Sequence, residues 1–258
     1  MSQCLKDSPY ADPEIMISEQ DGVRSLHLGG SMVQSAMKIS VPNDLELSYT
    51  QCMMGFLLFH ACPTHILMIG LGGGSLAKFV HHRMPKSQIT AVELNPQVVS
   101  VAVNHFALPA EDARFEVIIA EGGEYIARHS LSTDILMIDG FDDGCQVPSL
   151  CSQDFYNQAR RVLNKNGILV VNFLSRDKNV SNYLRCIENS FNGHVVKMLS
   201  DVDGNLIVFA MENSPGRLAW KTLKKRAKTL EKEYPLPFSE YVAKLRKYNL
   251  CHANYLAL

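Results

Sequence analysis

Four short stretches place glycine or acidic residues where apolar runs end. The first, Thr64 to Ser75, reads T-H-I-L-M-I-G-L-G-G-G-S, with glycines at Gly70, Gly72, Gly73 and Gly74. Glu93 closes the next run, S-Q-I-T-A-V-E. Glu121-Gly122 follows E-V-I-I-A, and Asp139 ends I-L-M-I-D. A buried strand that breaks into close-set glycines and then a helix makes a backbone cradle for a ligand. An acidic residue at the tip of the following strand stands where a ribose presents its hydroxyls. A carboxylate after the third strand can accept from an adenine amino group. Acidic groups repeated at strand ends converge on the carboxyl edge of an open sheet, where ligands of such folds sit. The pattern predicts a site for a nucleoside-bearing compound.

The glycine spacing narrows the choice. A dinucleotide fingerprint, G-x-G-x-x-G, needs glycine at position 75, which is Ser75. G-x-G-x-G fits instead, the cradle common in S-adenosyl nucleoside sites. Other constellations are missing: the chain contains no G-x-S-x-G, H-E-x-x-H or G-x-x-x-x-G-K-[ST]. His81 and His82 are adjacent, so on a helix they face different ways and do not make a metal pair. The seven cysteines form no C-x-x-C and no Cys/His cluster at zinc spacing. No metal is expected, and scattered cysteines in odd number suit a reducing, cytoplasmic setting.

Elements must hold these residues in place. Turn signals at Asp21-Gly22 and Gly29-Gly30 break residues 13–42 into short β-strands. L-E-L-S-Y-T-Q-C-M-M-G-F-L-L-F-H, beginning after Asp44, has the spacing of a helix with one buried face. From His65 onward strand and helix alternate. Strands are expected at His65–Ile69, Ile89–Val92, Phe115–Ala120, Ile135–Asp139, Ile168–Phe173, Val195–Leu199 and Leu206–Met211. Helices are expected at Ser75–His82, Pro96–His105, Gly123–His129, Ser152–Leu163 and Val180–Phe191. Alternation of this kind implies a doubly wound α/β fold around a mostly parallel, seven-stranded sheet. The reading divides the chain into an N-terminal β-region (1–48), a nucleoside-binding domain (49–214) and a helical basic tail (215–258) interrupted at Pro235 and Pro237.

Bulk properties agree with an enzyme of ordinary surface. The 258 residues are 47% hydrophobic and 20% charged, with a formal net charge of -1. That charge gives no global reason to bind nucleic acid or an anionic membrane. The most apolar stretch, Met53 to Cys62, is too short to span a bilayer. The basic excess between Arg217 and Lys247 reads as a solvated helix face, with Trp220 and Phe238 anchoring the tail to the core.

The order of motifs resembles the spermidine synthase family, aminopropyltransferases built on a class I methyltransferase fold. The resemblance runs from about Val23 to Met211. It rests on G-G-S-M-V-Q-S-A-M…L-E-L-S-Y, the glycine loop, Glu93, Glu121-Gly122, D-G-F-D at Asp139–Asp142 and S-L-C-S-Q-D-F-Y at Ser149–Tyr156. By resemblance, Gln34 contacts the nucleoside, Glu93 its ribose, and Glu121-Gly122 its adenine. Tyr49, Thr50, Asp139 and Asp142 then line the amine pocket, with Asp139 the general base. The resemblance also implies decarboxylated S-adenosylmethionine as co-substrate, a small amine as acceptor, and a homodimer or homotetramer. Two departures point to a divergent, spermidine synthase-like branch. Gly73 stands where the family carries an aspartate that grips the donor's amino group, and Asp143 replaces the proline after D-x-x-D. Methyl transfer from ordinary S-adenosylmethionine to a small molecule, and nucleoside binding without catalysis, are the alternative readings.

Overall fold

The computed structural model describes residues 14–129, 132–142, 145–200 and 204–258; the side chains of Asp142 and Cys145 fall outside that description. Three antiparallel strands come first: β1 (Ile15–Gln20), β2 (Val23–Leu28) and β3 (Val33–Lys38). The turn between β1 and β2 holds Asp21 at φ 52° and Gly22 at φ 76°. Positive φ at both central residues suits the right-handed twist of a two-residue hairpin. Leu26 and Met37 of this small sheet pack on Phe106.

The segment after it differs from the single helix expected. Helix α1 (Ser48–Met53) runs directly into a 3-10 turn over Met54–Leu58. Met53, Met54, Phe56, Leu57 and Leu58 are all fully buried, so the segment hides every face rather than one. Gly55 explains the close fit: a Cβ there would lie 2.9 Å from Met198 Cε and 3.0 Å from Phe209 Cζ. The tail covers the other side, and Arg226 donates to the Leu58 carbonyl from there.

Beyond it the chain alternates as predicted. Strand β4 (His65–Ile69) leads to α2 (Ser75–Arg83), β5 (Gln88–Glu93) to α3 (Pro96–His105), and β6 (Phe115–Ile119) to α4 (Gly122–Arg128). Next come β7 (Thr133–Ile138), the two-residue strands β8 (Phe141–Asp142) and β9 (Cys145–Gln146), and α5 (Gln153–Arg161). β10 (Leu163–Leu174), α6 (Val180–Ser190), β11 (Val195–Leu199) and β12 (Asn205–Met211) complete the sheet. Its order is β11-β12-β10-β7-β4-β5-β6, with β12 alone antiparallel to its neighbours. β10 starts five residues earlier than expected, and α5 therefore stops at Arg161.

Burial on both faces explains why these strands read as unbroken apolar runs. In β4, Ile66 and Met68 join the core on one face while Leu67 and Ile69 join the core on the other. Ile135 and Met137 of β7 are divided from Leu136 and Ile138 in the same way. Each such side chain stabilises the fold by ~1.5–3 kcal/mol. Helix starts follow their caps: Asn95 accepts from Gln97 N at 2.8 Å ahead of Pro96, and Ser152 accepts from Phe155 N at 3.0 Å.

The tail folds as β13 (Arg217–Ala219), α7 (Trp220–Glu233), α8 (Phe238–Tyr248) and β14 (Tyr255–Ala257), with β13 and β14 paired antiparallel. That small sheet has no signature in the sequence reading. Trp220, Leu223, Ala227, Leu230, Phe238 and Tyr241 enter the same core cluster as Ile66 and Met68 of β4. The indole Nε1 of Trp220 donates to the His252 carbonyl at 3.0 Å. Lys221, Lys224, Lys225 and Lys228 remain exposed. Among the described residues, no helix is long and apolar enough to cross a membrane.

Candidate functional site

Strand order reverses between β4 and β7. From β4 the chain steps outward to β5 and β6, then returns to set β7 on the other side of β4. Loops leaving adjacent strands in opposite directions open a crevice beyond their carboxyl ends. The glycine loop leaves β4 there, and Asp139 leaves β7. Asp139 N donates to Ile69 O at 2.9 Å, and Gly70 N to Val92 O at 2.9 Å, so three strand ends are knitted together. Gly70 has φ +94°, and a Cβ on it would lie 2.3 Å from the Asp139 carbonyl oxygen. Only glycine lets the loop pass that close.

The Asp139 side chain is held on both oxygens. Tyr49 OH donates to Oδ2 at 3.2 Å and is also 3.2 Å from the Gln34 carbonyl. Asn172 Nδ2 donates to Oδ1 at 2.8 Å. Burial pushes the Asp139 carboxyl above the usual carboxylate range, and the Asn172 and Tyr49 bonds oppose that push without cancelling it. A small cavity of about 20 Å³ adjoins it, lined by Ser35, Tyr49, Thr50, Gly70, Leu71 and Ser75 among others. That is room for about one water-sized group. The Thr50 hydroxyl donates to Leu47 O at 2.7 Å, leaving its oxygen free to accept. Gln34 contributes its backbone carbonyl through Tyr49. The backbone of Asp142 forms β8, while its side chain and Asp143 lie outside the described residues.

The glycine loop itself is tightly backed. Gly73 N donates to Ser35 Oγ at 2.8 Å. A Cβ at Gly73 would stand 3.0 Å from both Phe106 Cδ1 and Ser35 Cβ. Gly72 would meet Ser35 Oγ at 2.6 Å, and Gly74 would meet Leu108 Cδ1 at 2.4 Å. The carboxylate of Glu93 closes the loop from the side, accepting from Leu71 N at 2.9 Å and from Asn95 N at 3.0 Å. Each of its oxygens keeps a second lone pair for a hydroxyl.

Glu121 has a structural task as well. It caps α4, accepting from Glu124 N at 2.6 Å, and takes the Ser149 hydroxyl at 2.9 Å. It lines a separate, open hollow of about 280 Å³ with Gly123, Ser149, Ser152 and Asp154. Glu121 and Asp139 thus flank different hollows of the same sheet edge. Gly122 is required by packing: a Cβ there would lie 2.2 Å from Ile69 Cγ2.

Ser35 lines the cavity and Asn172 bonds Asp139, with Asn205 and Gln146 bonding Asn172 in turn; the sequence pattern singles out none of the four. A signal existed for one of them: Asn172 is the polar interruption of the apolar run I-L-V-V-N-F.

Comparison with known proteins places the chain as a whole. A family model described as the spermine/spermidine synthase domain matches residues 46–203. The polyamine aminopropyltransferase of Chromobacterium violaceum is 41% identical over 254 residues, covering 98% of this chain and 97% of that protein. Human methyltransferase-like protein 13, solved with SAH, superposes with a TM-score of 0.67 at 26% identity, over 81% of this chain and 96% of that one. A spermidine synthase solved with the transition state analogue AdoDATO has a TM-score of 0.66 at 18% identity, over 90% of this chain and 84% of that one, and so speaks for the fold alone. With 41% identity over nearly the full length of both proteins and a family model matched over residues 46–203, the chain belongs to the spermine/spermidine synthase family.

Proposed function

We propose that the chain transfers an aminopropyl group from decarboxylated S-adenosylmethionine to putrescine or a related small amine, with Asp139 as general base. The observation that carries this reading is the Asp139 carboxylate, gripped among the described residues only by the neutral donors Tyr49 and Asn172, beside a cavity at the strand reversal. A carboxylate not neutralised by a cation is free to take a proton from an ammonium and to pair with the charge it leaves behind. The amine nitrogen gives that proton to Asp139, and its lone pair then forms the new bond to the carbon beside the sulfonium. The carbon–sulfur bond breaks, its electron pair returns to sulfur, and methylthioadenosine leaves neutral. The sulfonium is already an activated leaving group, so positioning and charge pairing supply the catalysis. Glu93 is assigned to the ribose, Gln34, the glycine loop and Glu121-Gly122 to the nucleoside, and Tyr49, Thr50 and Asp142 to the amine.

The close relative from Chromobacterium violaceum supports this choice of reaction by its name. The scattered cysteines suit the cytoplasm, and a homodimer or homotetramer follows from the family resemblance. The test is release of methylthioadenosine by purified protein given decarboxylated S-adenosylmethionine and putrescine. Absence of release with every common diamine and triamine would overturn the reading.

One observation favours methyl transfer instead. Gly73 leaves no carboxylate where the family grips the donor's amino group, and the likeness to methyltransferase-like protein 13 points the same way. Calorimetry with the two donors separates the readings: tighter binding of carboxylated S-adenosylmethionine favours methyl transfer.

A further inference from the structure

Behind Asp139 runs a chain of buried amides. Asn172 Nδ2 donates to Asp139 Oδ1 at 2.8 Å, and Asn205 Nδ2 donates to Asn172 Oδ1 at 2.8 Å. Asn172 is 1% exposed and Asn205 5%. The pair bridges neighbouring strands: Asn172 lies on β10, beside the end of β7, and Asn205 opens β12. Both are pinned by further polar groups. Gln146 Nε2, from β9, donates to the Asn172 carbonyl at 2.7 Å. The Asn205 backbone exchanges bonds with Ser200, its N–H donating to Ser200 Oγ at 3.1 Å and its carbonyl accepting from Ser200 N at 2.8 Å.

The chain has a direction. A carboxylate only accepts, so the amide that faces it must present NH2. The carbonyl oxygen of Asn172 then points away from Asp139, and Asn205 must answer it with its own NH2. An NH2 donor bonds more strongly to a charged carboxylate oxygen than to the oxygen of the neutral acid, and a proton placed on Oδ1 would require both amides to turn over together. Two enclosed amides aligned in this sense therefore favour the ionised form of the acid they face.

We propose that Asn172 and Asn205 are positioning residues that hold Asp139 in its ionised form and aim its remaining lone pairs into the cavity shared with Tyr49. Other influences on this carboxyl are few. Among the described residues, burial, the Asn172 amide and the Tyr49 phenol act on it. Tyr49 faces it from α1, Gly70 brings only backbone, and the side chain of Asp142 on β8 is outside the described residues. The kinetic consequence of the relay rests on Asp139 being the base; its effect on protonation does not.

Carboxyl carbon NMR on the full chain, labelled at aspartate, tests this without turnover. The Asp139 resonance is identified by its loss in Asp139→Asn. Asn205→Asp places an acceptor where the chain needs a donor. It turns Asn172 so that its carbonyl faces Asp139, and the Asp139 titration midpoint should rise by about one pH unit or more. Direct repulsion from the new charge is separated by adding Asn172→Leu. With the relay cut, the rise due to Asn205→Asp should largely vanish, whereas direct repulsion would persist in full. A persistent rise, or an unmoved midpoint in the single variant, overturns the proposal. Should Asn205→Asp fail to fold, Asn205→Leu removes the donor without a charge. It should give a smaller upward move, and no move overturns the proposal. Where the wild type turns over as proposed, the acid limb of kcat/KM moves with the midpoint. A wild type that turns over nothing refutes the proposed reaction and leaves the titration to judge the relay.

Discussion

The hydroxyl of Tyr49 reaches Asp139 Oδ2 at 3.2 Å across a separation of 90 residues. The same hydroxyl stands 3.2 Å from the Gln34 carbonyl, so one proton is shared between β3 and the end of β7. Tyr49 can sit there because α1 is pressed flat against the sheet, leaving its ring 8% exposed. The phenol therefore does two things to Asp139: it fixes the carboxylate plane, and it opposes the upward push of burial.

Tyr49→Phe keeps the ring and removes both bonds. A hydrogen bond to a charged group contributes ~1.5–3 kcal/mol, so kcat/KM should fall on the order of 10- to 100-fold. The acid limb of the pH profile should move upward, because one of two groups lowering the Asp139 pKa is gone. A pH-rate series on both proteins checks this. An unmoved limb would show that the hydroxyl does not act on the base.

Asp139→Asn should trade activity for stability. The folded-state pKa of Asp139 lies above its unfolded value, so the folded chain holds this proton more tightly than the unfolded one. Its favourable contribution is complete below the ordinary carboxylate range and is lost as pH rises through the raised pKa. Above that raised pKa the wild type bears a buried, desolvated charge that asparagine does not carry. Thermal melts should show the variant gaining stability relative to wild type as pH rises, while turnover is abolished. A relative stability that stays flat or falls as pH rises contradicts the raised pKa.

Strand ends were legible in the sequence because strands buried on both faces announce themselves as unbroken apolar runs. Asp139 and Glu93 stand out simply by ending them. Partners that approach from elsewhere in the chain leave no such mark. Ser35 lies in a strand of mixed character and meets Gly73 38 positions away. Asn205 opens a strand as an unremarkable turn residue, and its role exists only through Asn172. Glu121 shows a different limit. An acid just ahead of a helix is equally the sign of an N-cap and of a ligand carboxylate, and Glu121 does make the capping bond to Glu124 N. Gly122 reads as a site glycine in sequence, and its lack of a side chain also answers to Ile69, a packing demand that leaves no separate mark. The 3-10 turn after α1 leaves no periodic mark in the sequence, and the close fit of its Gly55 against Met198 and Phe209 is a long-range contact.

Restoring the family's aspartate at position 73 should not restore a tighter grip on the donor. A Cβ at Gly73 already meets Phe106 Cδ1 and Ser35 Cβ at 3.0 Å, and Phe106 is fully buried with Leu26 and Met37. The ring cannot yield without disturbing the packing of the N-terminal sheet. Gly73→Asp should therefore lose ~1–3 kcal/mol of stability, the range for overpacking a filled site. Affinity for decarboxylated S-adenosylmethionine should not improve. Denaturant unfolding and calorimetry measure the two quantities. Full stability together with tighter donor binding would mean that the loop opens more readily than its packing suggests.

Asp134 gives a stability prediction far from the site, at the amino-terminal edge of the sheet. Burial pushes its carboxyl up, but bonds from the Thr64 hydroxyl, Asn164 Nδ2 and the backbone N–H groups of Thr64 and His65 outweigh that push, bringing it down to about 2. The four donors lie at 2.7, 2.7, 2.6 and 3.2 Å. They tie the start of β4 and the early residues of β10 to β7. A lowered pKa means that the unfolded chain binds the proton more readily. The stabilisation is thus present above the unfolded value of about 4 and disappears as pH falls through about 2. Asp134→Asn turns an acceptor-only group into one whose NH2 confronts other donors. Its Tm should be lower than wild type at pH 6, and the difference should shrink steadily between pH 4 and pH 2. Melting both proteins across that interval decides the matter, since a deficit independent of pH would assign the loss to packing rather than to the carboxylate's charge.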